Sequence, residues 1–384
     1  MKKVFLTLAV AATIFASCDK NDDPKVDPQP TAENLTGDIT SNMTLNADIT
    51  YTLTGTVRVK DGAKLTIPAG TLIKSQSGFD KYIIVEQGGQ IFVNGTADKP
   101  VKMTSAASTP EPGDWGGLII NGKAKISGTA GTTPTGTTEI DPTKPYGGSD
   151  DADNSGSITY LILEYCGAKS SANIEHNGLT LDAVGSGTKI ENVYIPYSAD
   201  DGVEFFGGTV NVKNLLVVNS DDDCFDVTQG WRGTLDNAYG VWLAGFTSGE
   251  DDPRGTEIDG NLDGNTPDDV NQSNFTFQNI TIANKSNEKV AGDLPVMQDV
   301  VKVRRGATAT ITNLLIKGTA CQDLIDLTDS KGNGNKNTSI SYKNDGMTFT
   351  GAEVKNPDGA SITANEANTG ANTSVFSWTG FTNF

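Results

Sequence analysis

Acidic residues recur at a fixed spacing in the middle of the chain. Segment 189–208 reads KIENVYIPYSADDGVEFFGG and segment 211–230 reads NVKNLLVVNSDDDCFDVTQG, and an offset of 22 positions aligns their carboxylates. Carboxylates held side by side bind hard cations such as Ca²⁺, or they act as the acid and the base of glycoside hydrolysis. The aligned pairs are Asp200 with Asp222, Asp201 with Asp223, and Glu204 with Asp226.

The apolar residues of this repeat predict a parallel β-helix in which each copy forms one coil. They keep the same offset as the acids, and they are β-branched or aromatic, as is typical of strands. The leucine-rich pattern LxxLxLxxN, which marks the other solenoid of this period, is absent. Equivalent residues of successive coils would lie about 4.8 Å apart. Val203 and Phe225 would then stack inside, while Glu204 and Asp226 would point outward, one above the other.

Stacked carboxylates repel one another by roughly 3 kcal/mol at a separation of about 5 Å and an effective dielectric constant of about 20. Three interpretations remain open: a fully solvated acidic face, protonation of some of the acids, or a bound cation, for which Ca²⁺ is the expected ion. Segment 259–265 is a second calcium candidate, because it matches the first half of an EF-hand loop, although Val270 stands at the twelfth position. The candidate metal ligands are Asp200, Asp201, Glu204, Asp222, Asp223, Asp226, Asp259, Asn261 and Asp263.

Further repeats extend the solenoid in both directions. Segment 57–67 aligns with segment 83–93 at an offset of 26, which is again the length of one coil. Two polar stretches, 127–157 and 247–274, are expected to be insertions, and Trp378 and Phe381 are expected to cap the open end. The predicted fold is all-β: a single right-handed parallel β-helix over residues 35–384 with long loop insertions. Its handedness follows from the general rule for parallel crossovers.

The N-terminus has the features of an export signal. Lys2 and Lys3 precede an apolar run, and Ala16-Ser17-Cys18 then resembles a bacterial lipobox. The resemblance implies a lipoprotein signal peptide over residues 1–17 and lipidation of Cys18, followed by a flexible tether over residues 18–34. The acidic segment 19–23 resembles the tag that directs Bacteroidota-type lipoproteins to the outer face of the outer membrane. The expected partner of Cys18 is therefore outer-membrane lipid, with the protein facing the cell exterior.

Composition excludes one class of function. The 48 acidic residues outnumber the 29 basic residues and give a net charge of −19, which argues against binding of nucleic acid. Apart from Cys18 the cysteines are Cys166, Cys224 and Cys321, an odd number with no metal-binding spacing, so at least one is expected to be unpaired.

Two motifs carry a resemblance to a known group of proteins. Residues 200–208 and 222–231 resemble the "DDGFEFFGG" and "DDxFDxxQGW" motifs of secreted or lipid-anchored bacterial β-helix proteins, with Val203 where Phe is usual. The resemblance implies the fold and the export of the chain, and it implies no particular activity.

The favoured function is a non-catalytic scaffold that adheres to a surface or captures an extracellular glycan or surface protein. Trp231 and Trp242 are candidate sugar platforms, and Arg232 is a candidate ligand contact. The alternative is a Ca²⁺-dependent polysaccharide lyase or a glycoside hydrolase acting on acidic glycans. The histidine of the polygalacturonase GHG motif is absent, and the single histidine, His176, is expected at the surface. A Lys or Arg within about 5 Å of the grouped acids in a groove would favour the enzyme.

Overall fold

The computed structural model describes residues 32–171 and 174–384, which form a parallel β-helix. Apolar side chains alternate with polar ones along most strands, and burial follows the same alternation, as in strand Gln90–Asn94. One face of each strand therefore lines the core and the other faces outward. The signal peptide, Cys18 and residues 18–31 of the expected tether lie outside the described residues. The first strand begins at Ala32, three residues before the expected start of the solenoid.

The strands of the N-terminal part precede a long insertion after the ninth strand. They are β1 (Ala32–Ile39), β2 (Met43–Thr44), β3 (Thr50–Val59), β4 (Lys64–Pro68), β5 (Leu72–Ser75), β6 (Gly78–Val85), β7 (Gln90–Asn94), β8 (Val101–Ser105) and β9 (Trp115–Asn121). The insertion carries the hairpin β10 (Gly136–Thr138) and β11 (Asp141–Tyr146).

The central part contains the acidic repeat. Its strands are β12 (Gly156–Leu163), β13 (Lys169–Ser171), β14 (Ile174–Glu175), β15 (Leu179–Asp182), β16 (Lys189–Pro196), β17 (Val203–Phe206), β18 (Asn211–Val218), β19 (Phe225–Thr228), β20 (Thr234–Trp242), β21 (Thr256–Asp259) and β22 (Asn274–Asn284).

The C-terminal part completes the solenoid. Its strands are β23 (Asp299–Arg304), β24 (Thr308–Gly318), β25 (Ala320–Cys321), β26 (Asp323–Asp326), β27 (Ser339–Asp345), β28 (Thr348–Phe349), β29 (Val354–Lys355) and β30 (Ser361–Ala364). Short 3₁₀ helices span Leu262–Gly264, Ala291–Asp293 and Thr373–Thr379. Among the described residues, no helix has the length and apolarity needed to cross a membrane.

Each coil passes through three parallel sheets. The first contains β2, β4, β7 and the N-terminal halves of β12, β16, β18, β20, β22 and β24, and the second contains β5, β8 and the C-terminal halves of the same long strands. The third sheet takes one strand from each coil, and the pairing confirms the offsets read from the repeats. Val57 pairs with Ile83 and Glu204 with Asp226, both in parallel register. The eleven described strands of the third sheet are β1, β3, β6, β9, β15, β17, β19, β21, β23, β26 and β29.

The second polar stretch, 247–274, is not the single insertion that was expected. β21 lies inside it and adds a coil to the third sheet by pairing with β19 and β23. Only Ile258 of this strand is apolar, so the sequence TEID does not resemble a buried strand. The stretch therefore contributes two shorter loops, one before β21 and one after it.

An asparagine ladder bends the long strands between the first and second sheets. These asparagines adopt positive φ angles, which Asn tolerates better than most residues. The amide of Asn214 donates to Asn192 Oδ1 at 2.9 Å, Asn237 donates to Asn214 Oδ1 at 3.0 Å, and Asn313 donates to Asn279 Oδ1 at 2.8 Å. The bend falls at the fourth position of β16, β18 and β20 and at the sixth position of β22 and β24, so each of these strands supplies both sheets.

The C-terminal segment does not cap the open end, as was expected of Trp378 and Phe381. It runs back along the outside of the second sheet, where Phe376 is fully buried among Leu216, Val218 and Tyr239. Trp378 meets the ring of Tyr160 edge-on at 5.3 Å. The backbone N–H of Asn372 donates to Asn237 Oδ1, so the segment also covers the asparagine ladder.

Substitution of Asn214 tests the ladder. Asn214→Ala removes two side-chain hydrogen bonds and puts at a φ of 56° a residue that tolerates the left-handed region less well than Asn, so we expect a loss of about 2–4 kcal/mol in unfolding free energy. Asn214→Gly loses the same bonds but keeps the left-handed backbone at low cost, so its loss should be smaller. Urea unfolding of the purified proteins measures both. Equal stability of wild type and Asn214→Ala would contradict the assignment of the bends to the ladder.

Candidate functional site

An acidic cleft lies on the outer surface of the third sheet, beneath the insertions that project from the solenoid. Its volume is about 450 Å³, which is within the range of small-molecule sites. Hydroxyl and aromatic side chains form parts of its wall, among them Thr137, Tyr146, Phe206 and Thr228. The acids that line it are Glu139, Glu175, Asp200, Asp201, Glu204, Asp222, Asp226, Glu257, Asp259 and Asp263.

The register of the third sheet brings most of these acids together. Glu204, Asp226 and Glu257 are aligned on β17, β19 and β21, and alternation turns all three outward. Asp200 and Asp222 occupy the turns that precede β17 and β19. The insertions supply the opposite wall through Glu139 and Asp263, and β14 supplies Glu175.

Positive charge is unevenly distributed along this surface. Towards the C-terminal end, acids and bases alternate: Lys302 contacts Asp326 at 2.9 Å, and Arg304 contacts Asp259 at 2.7 Å. Among the described residues, Arg304 and Arg305 line the cleft and are already paired with acids, and Lys169 lies at its edge, where it contacts Glu175 and Asp200. Within residues 32–171 and 174–384, no basic side chain lies within salt-bridge distance of the central acids, which are Asp201, Glu204, Asp222 and Asp226.

Hydrogen bonds satisfy only part of the central acids. Glu204 Oε2 accepts from the amide of Asn177 at 2.6 Å, and Asp201 Oδ1 accepts from the backbone N–H of Asp223 at 2.9 Å. Oδ1 of Asp222 and Oδ1 of Asp226 are shielded from solvent and accept no hydrogen bond. A buried acceptor without a hydrogen-bond donor destabilises the folded state, and no donor compensates the burial of these two oxygens.

Three groups of carboxylate oxygens converge in the cleft, and the oxygens of each group lie within 4.8 Å of one another. The first, Glu175 with Asp200 and Glu250, surrounds the ammonium of Lys169, whose Nζ lies 3.1 Å from Glu175 and 3.4 Å from Asp200. The second group is Asp200 with Asp201 and Asp222, and it meets a base only through Asp200, which contacts Lys169. The third group is Asp201 with Glu204 and Asp226, and it has no ion pair among the described residues.

A fourth group lies outside the cleft and is neutralised. Asp299, Asp323 and Asp326 converge in the same way. Lys355 contacts Asp323 at 2.6 Å, and Arg254 contacts Asp299 at 3.3 Å. This group therefore needs no additional cation.

The sequence of the chain matches a known protein family. The family described as pectate-lyase-like beta helix domain matches residues 37–382. The chain belongs to this family. The match confirms the expected right-handed parallel β-helix, whereas the lipoprotein motifs stay predictions.

Solved structures of other β-helix proteins are similar at low identity. The catalytic domain of a family 87 α-1,3-glucanase in complex with tetrasaccharides is 11% identical, with coverage of 83% of this chain and 64% of that chain and a TM-score of 0.33. Tailspike protein 2 from an Escherichia coli O157:H7 bacteriophage is 9% identical, with coverage of 82% and 42% and a TM-score of 0.32. The chain thus spans less than two thirds of the length of either protein, and at these scores the similarity says nothing about function. No curated protein sequence matches the chain.

The EF-hand-like loop of this β-helix domain does not form a calcium site of the expected kind. The two oxygens of Asp259 accept from Arg304 and Arg305 at 2.7 and 2.5 Å. Asn261 is buried, and its Oδ1 accepts from the backbone N–H of Thr266, so its side chain holds a turn. Asp263 lines the cleft, but these three side chains do not converge on one point, because the arginines hold Asp259 and the turn holds Asn261.

The two aromatic ligand contacts that were expected are wrong, whereas the basic contact, Arg232, stays a prediction. Trp231 and Trp242 are fully buried. The indole N–H of Trp231 donates to the carbonyl of Val210, and its ring stacks on Phe205 at 4.2 Å, so the large side chain fills a corner of the core. Arg232 lies outside the cleft, where it donates to Asp151 Oδ1 at 3.1 Å and holds the insertion after β9.

His176 is not at the surface as expected. It is 1% exposed, its Nε2 lies 3.0 Å from the carbonyl oxygen of Phe79, and burial lowers its pKa to about 4. Its neighbours in the chain serve the cleft, since Glu175 lines the wall and Asn177 donates to Glu204. The neutral ring therefore packs beneath the site and anchors this turn.

The repeat predicted that five acids lie close together, and the structure brings all five into the cleft. They are Asp200, Asp201, Glu204, Asp222 and Asp226. Asp223 lies beside them, buried, with its Oδ1 accepting from the backbone N–H of Arg254. Glu257 was missed because β21 lacks a strand pattern, and the other missed residues are Glu139 of the insertion after β9, Lys169 of β13 and Glu175 of β14. The segments that contain these last three residues do not recur along the chain, so no repeat spacing identified them as cleft residues.

Burial raises the pKa values of the central acids. Burial, with Asp252 next in effect, raises the pKa of Asp222 to about 7, and burial together with Glu175 raises that of Glu139 to about 7. Burial and neighbouring carboxylates also hold the pKa values of Asp201, Glu204 and Asp226 well above the usual range. The earlier interpretation of a fully solvated acidic face is therefore wrong, because these acids are enclosed.

The raised pKa values predict how stability depends on pH in the absence of divalent cations. Between the unfolded pKa near 4 and the folded pKa near 7, the folded state binds more protons, so the unfolding free energy should fall as pH rises through this window. Asp222→Asn should reduce the slope, whereas Asp98→Asn, at an exposed position outside the cleft, should leave it unchanged. Thermal unfolding in EDTA from about pH 4 to 8 measures it. A melting temperature that rises steadily over this range would contradict the assignment.

Proposed function

We propose that this protein is a surface-exposed, lipid-anchored β-helix protein whose cleft binds Ca²⁺ and captures an extracellular glycan without cleaving it. The observation that supports this is the group of enclosed central carboxylates without a basic partner, including the unsatisfied Oδ1 of Asp222. A fold with such a group requires protons or a cation, and a divalent cation neutralises it most effectively at neutral pH.

Ca²⁺ fits the donor set better than other common metals. The available ligands are carboxylate oxygens on turns and loops, and Ca²⁺ takes six to eight such oxygens in flexible geometry. The described residues offer no His or thiolate at the cleft, which speaks against Zn²⁺. Asp200, Asp201 and Asp222 would hold the ion, because Asp200 and Asp201 come from one coil and Asp222 from the next. The ion would supply charge neutralisation and a contact for ligand hydroxyl groups.

Calcium should stabilise the protein through this group. A ligand that binds only the folded state raises the unfolding free energy by about 2.7 kcal/mol at one hundred times its Kd. We expect the melting temperature to rise on replacing EDTA with Ca²⁺ at neutral pH. Asp222→Asn should abolish most of the rise, and Asp98→Asn should keep it. An unchanged melting temperature of the wild type in Ca²⁺ would rule out the calcium site.

The charge of the cleft speaks against an acidic ligand. Ten carboxylates line it, against two arginines that are already paired. A polyuronate would meet this excess of negative charge even after one Ca²⁺ had bound. The exposed hydroxyl group of Thr137 suits a neutral sugar instead. We therefore propose a neutral or cationic glycan, in place of the acidic glycans first considered.

A glycoside hydrolase is the second candidate, and the raised pKa values favour it. A carboxylic acid with a pKa of about 7, such as Asp222, can serve as a general acid beside an ionised carboxylate. Lys169 lies 3.4 Å from Asp200, which meets the distance that favours an enzyme, but three carboxylates hold its ammonium, so it offers no free base for a lyase. Release of reducing ends from a neutral glycan, abolished by Asp222→Asn, would establish hydrolysis.

The lipid anchor determines where the cleft operates. We propose that acylated Cys18 fixes the protein in the outer membrane and that the tether places the solenoid outside the cell. Cys18→Ser should move the protein from the membrane fraction to the soluble fraction, because the acyl chains are lost. Protease added to intact cells should degrade the wild-type protein, with a periplasmic protein as the protected control. Protection of the wild type in intact cells would contradict surface exposure.

A further inference from the structure

The third carboxylate group of the cleft suits a different cation from the second group, to which we assign Ca²⁺. Asp201, Glu204 and Asp226 present oxygens within 4.8 Å of one another, and Asp201 is only 6% exposed. Oδ1 of Asp226 is shielded from solvent and accepts no hydrogen bond. This enclosed acceptor lacks a donor, which is a separate observation from the grouping of the acids.

The chain itself shows which ion such a group accommodates. At the end of the same cleft, Lys169 places its ammonium among Glu175, Asp200 and Glu250. An ammonium donates three hydrogen bonds, one to each carboxylate, and carries a single charge. The Asp201, Glu204 and Asp226 group offers the same three acceptors from three residues, but no side chain of the described residues supplies the ammonium.

The surroundings of this group suit the rest of a sugar. Thr228 and Phe206 follow the two sheet acids by two positions and lie on the same outer face of β19 and β17, so they form the neighbouring wall. Tyr146 of β11 lies opposite Phe206, with ring centroids 6.3 Å apart. A pyranose ring whose amine enters the acids would therefore meet hydroxyl and aromatic surface beside it.

We propose that the Asp201, Glu204 and Asp226 group binds the free ammonium of an amino sugar, so that the cleft selects glycans with unacetylated amines. This rests on the proposed glycan-binding function and names its ligand class. N-acetylation removes the positive charge and adds an acetyl group, and it would leave the three carboxylates unpaired in the complex. Uronate glycans would be excluded by the same charges.

Matched oligosaccharides test the proposal directly. The probes are tetramers of β-1,4-linked glucosamine and of N-acetylglucosamine, which share a backbone, and binding is measured by calorimetry with Ca²⁺ at neutral pH. We expect the glucosamine tetramer to bind at least about ten-fold more tightly. Glu204→Gln and Asp226→Asn should remove the difference. Both variants are nearly isosteric and relieve repulsion, so they should fold at least as stably, which thermal unfolding checks.

The controls separate this inference from the proposed function. Asp222→Asn should weaken stabilisation by Ca²⁺ and keep the preference for the amine. Equal binding of the two tetramers would overturn the inference and leave glycan capture intact, as would a preference that survives in Glu204→Gln and Asp226→Asn. Binding of neither tetramer would overturn both. Polylysine that binds more tightly than the glucosamine tetramer would also overturn the inference, because it would point to a basic protein as the partner.

Discussion

The register of the parallel third sheet is the constraint on which the rest of the structure depends. Hydrogen bonding between coils sets equivalent residues at strand spacing, so each residue stacks on its counterpart in the next coil. This stacking joins Val203, Phe225 and the residues aligned with them into one core. The same stacking forces Glu204, Asp226 and Glu257 into a row on the outside. Core and cleft are therefore consequences of one interaction, and a change in register would destroy both.

Along that row, one part has the charge pattern expected of a stabilising sheet surface, and another has the pattern expected of a binding site. Beyond Glu257 the row continues with Lys302, Asp326 and Lys355, so opposite charges face each other from coil to coil. Such alternation is what stability alone would favour. In the middle of the row three acids follow one another, and loops then enclose them. Adjacent carboxylates destabilise the fold, and the loops strengthen their repulsion by enclosing them. Local destabilisation of this kind is typical of a binding site.

The features that could be predicted from the sequence are those formed by residues that recur along the chain. The coil, its register and the grouping of five acids were predictable, because each rests on a residue that recurs at a constant offset. The inward orientation of Trp231 and the burial of His176 were not, because both depend on contacts with residues distant in sequence, such as Phe79. β21 was missed because its single apolar residue gives no alternation. The path of the C-terminal segment over the asparagine ladder has no local signal, since Asn372 meets Asn237 across 135 positions.

The loops whose positions could not be predicted from the sequence also enclose the row of acids and so form the cleft. On an open sheet, water would screen the carboxylates, and their repulsion would cost little. The insertion after β9 is held down by Asn121, which donates to the carbonyl of Pro145, and by Tyr146, which donates to Gln229. It removes water from above the acids and raises their pKa values. The cation that we propose would recover the free energy lost in this way, so affinity for the ion and stability of the folded protein would depend on the same electrostatic repulsion.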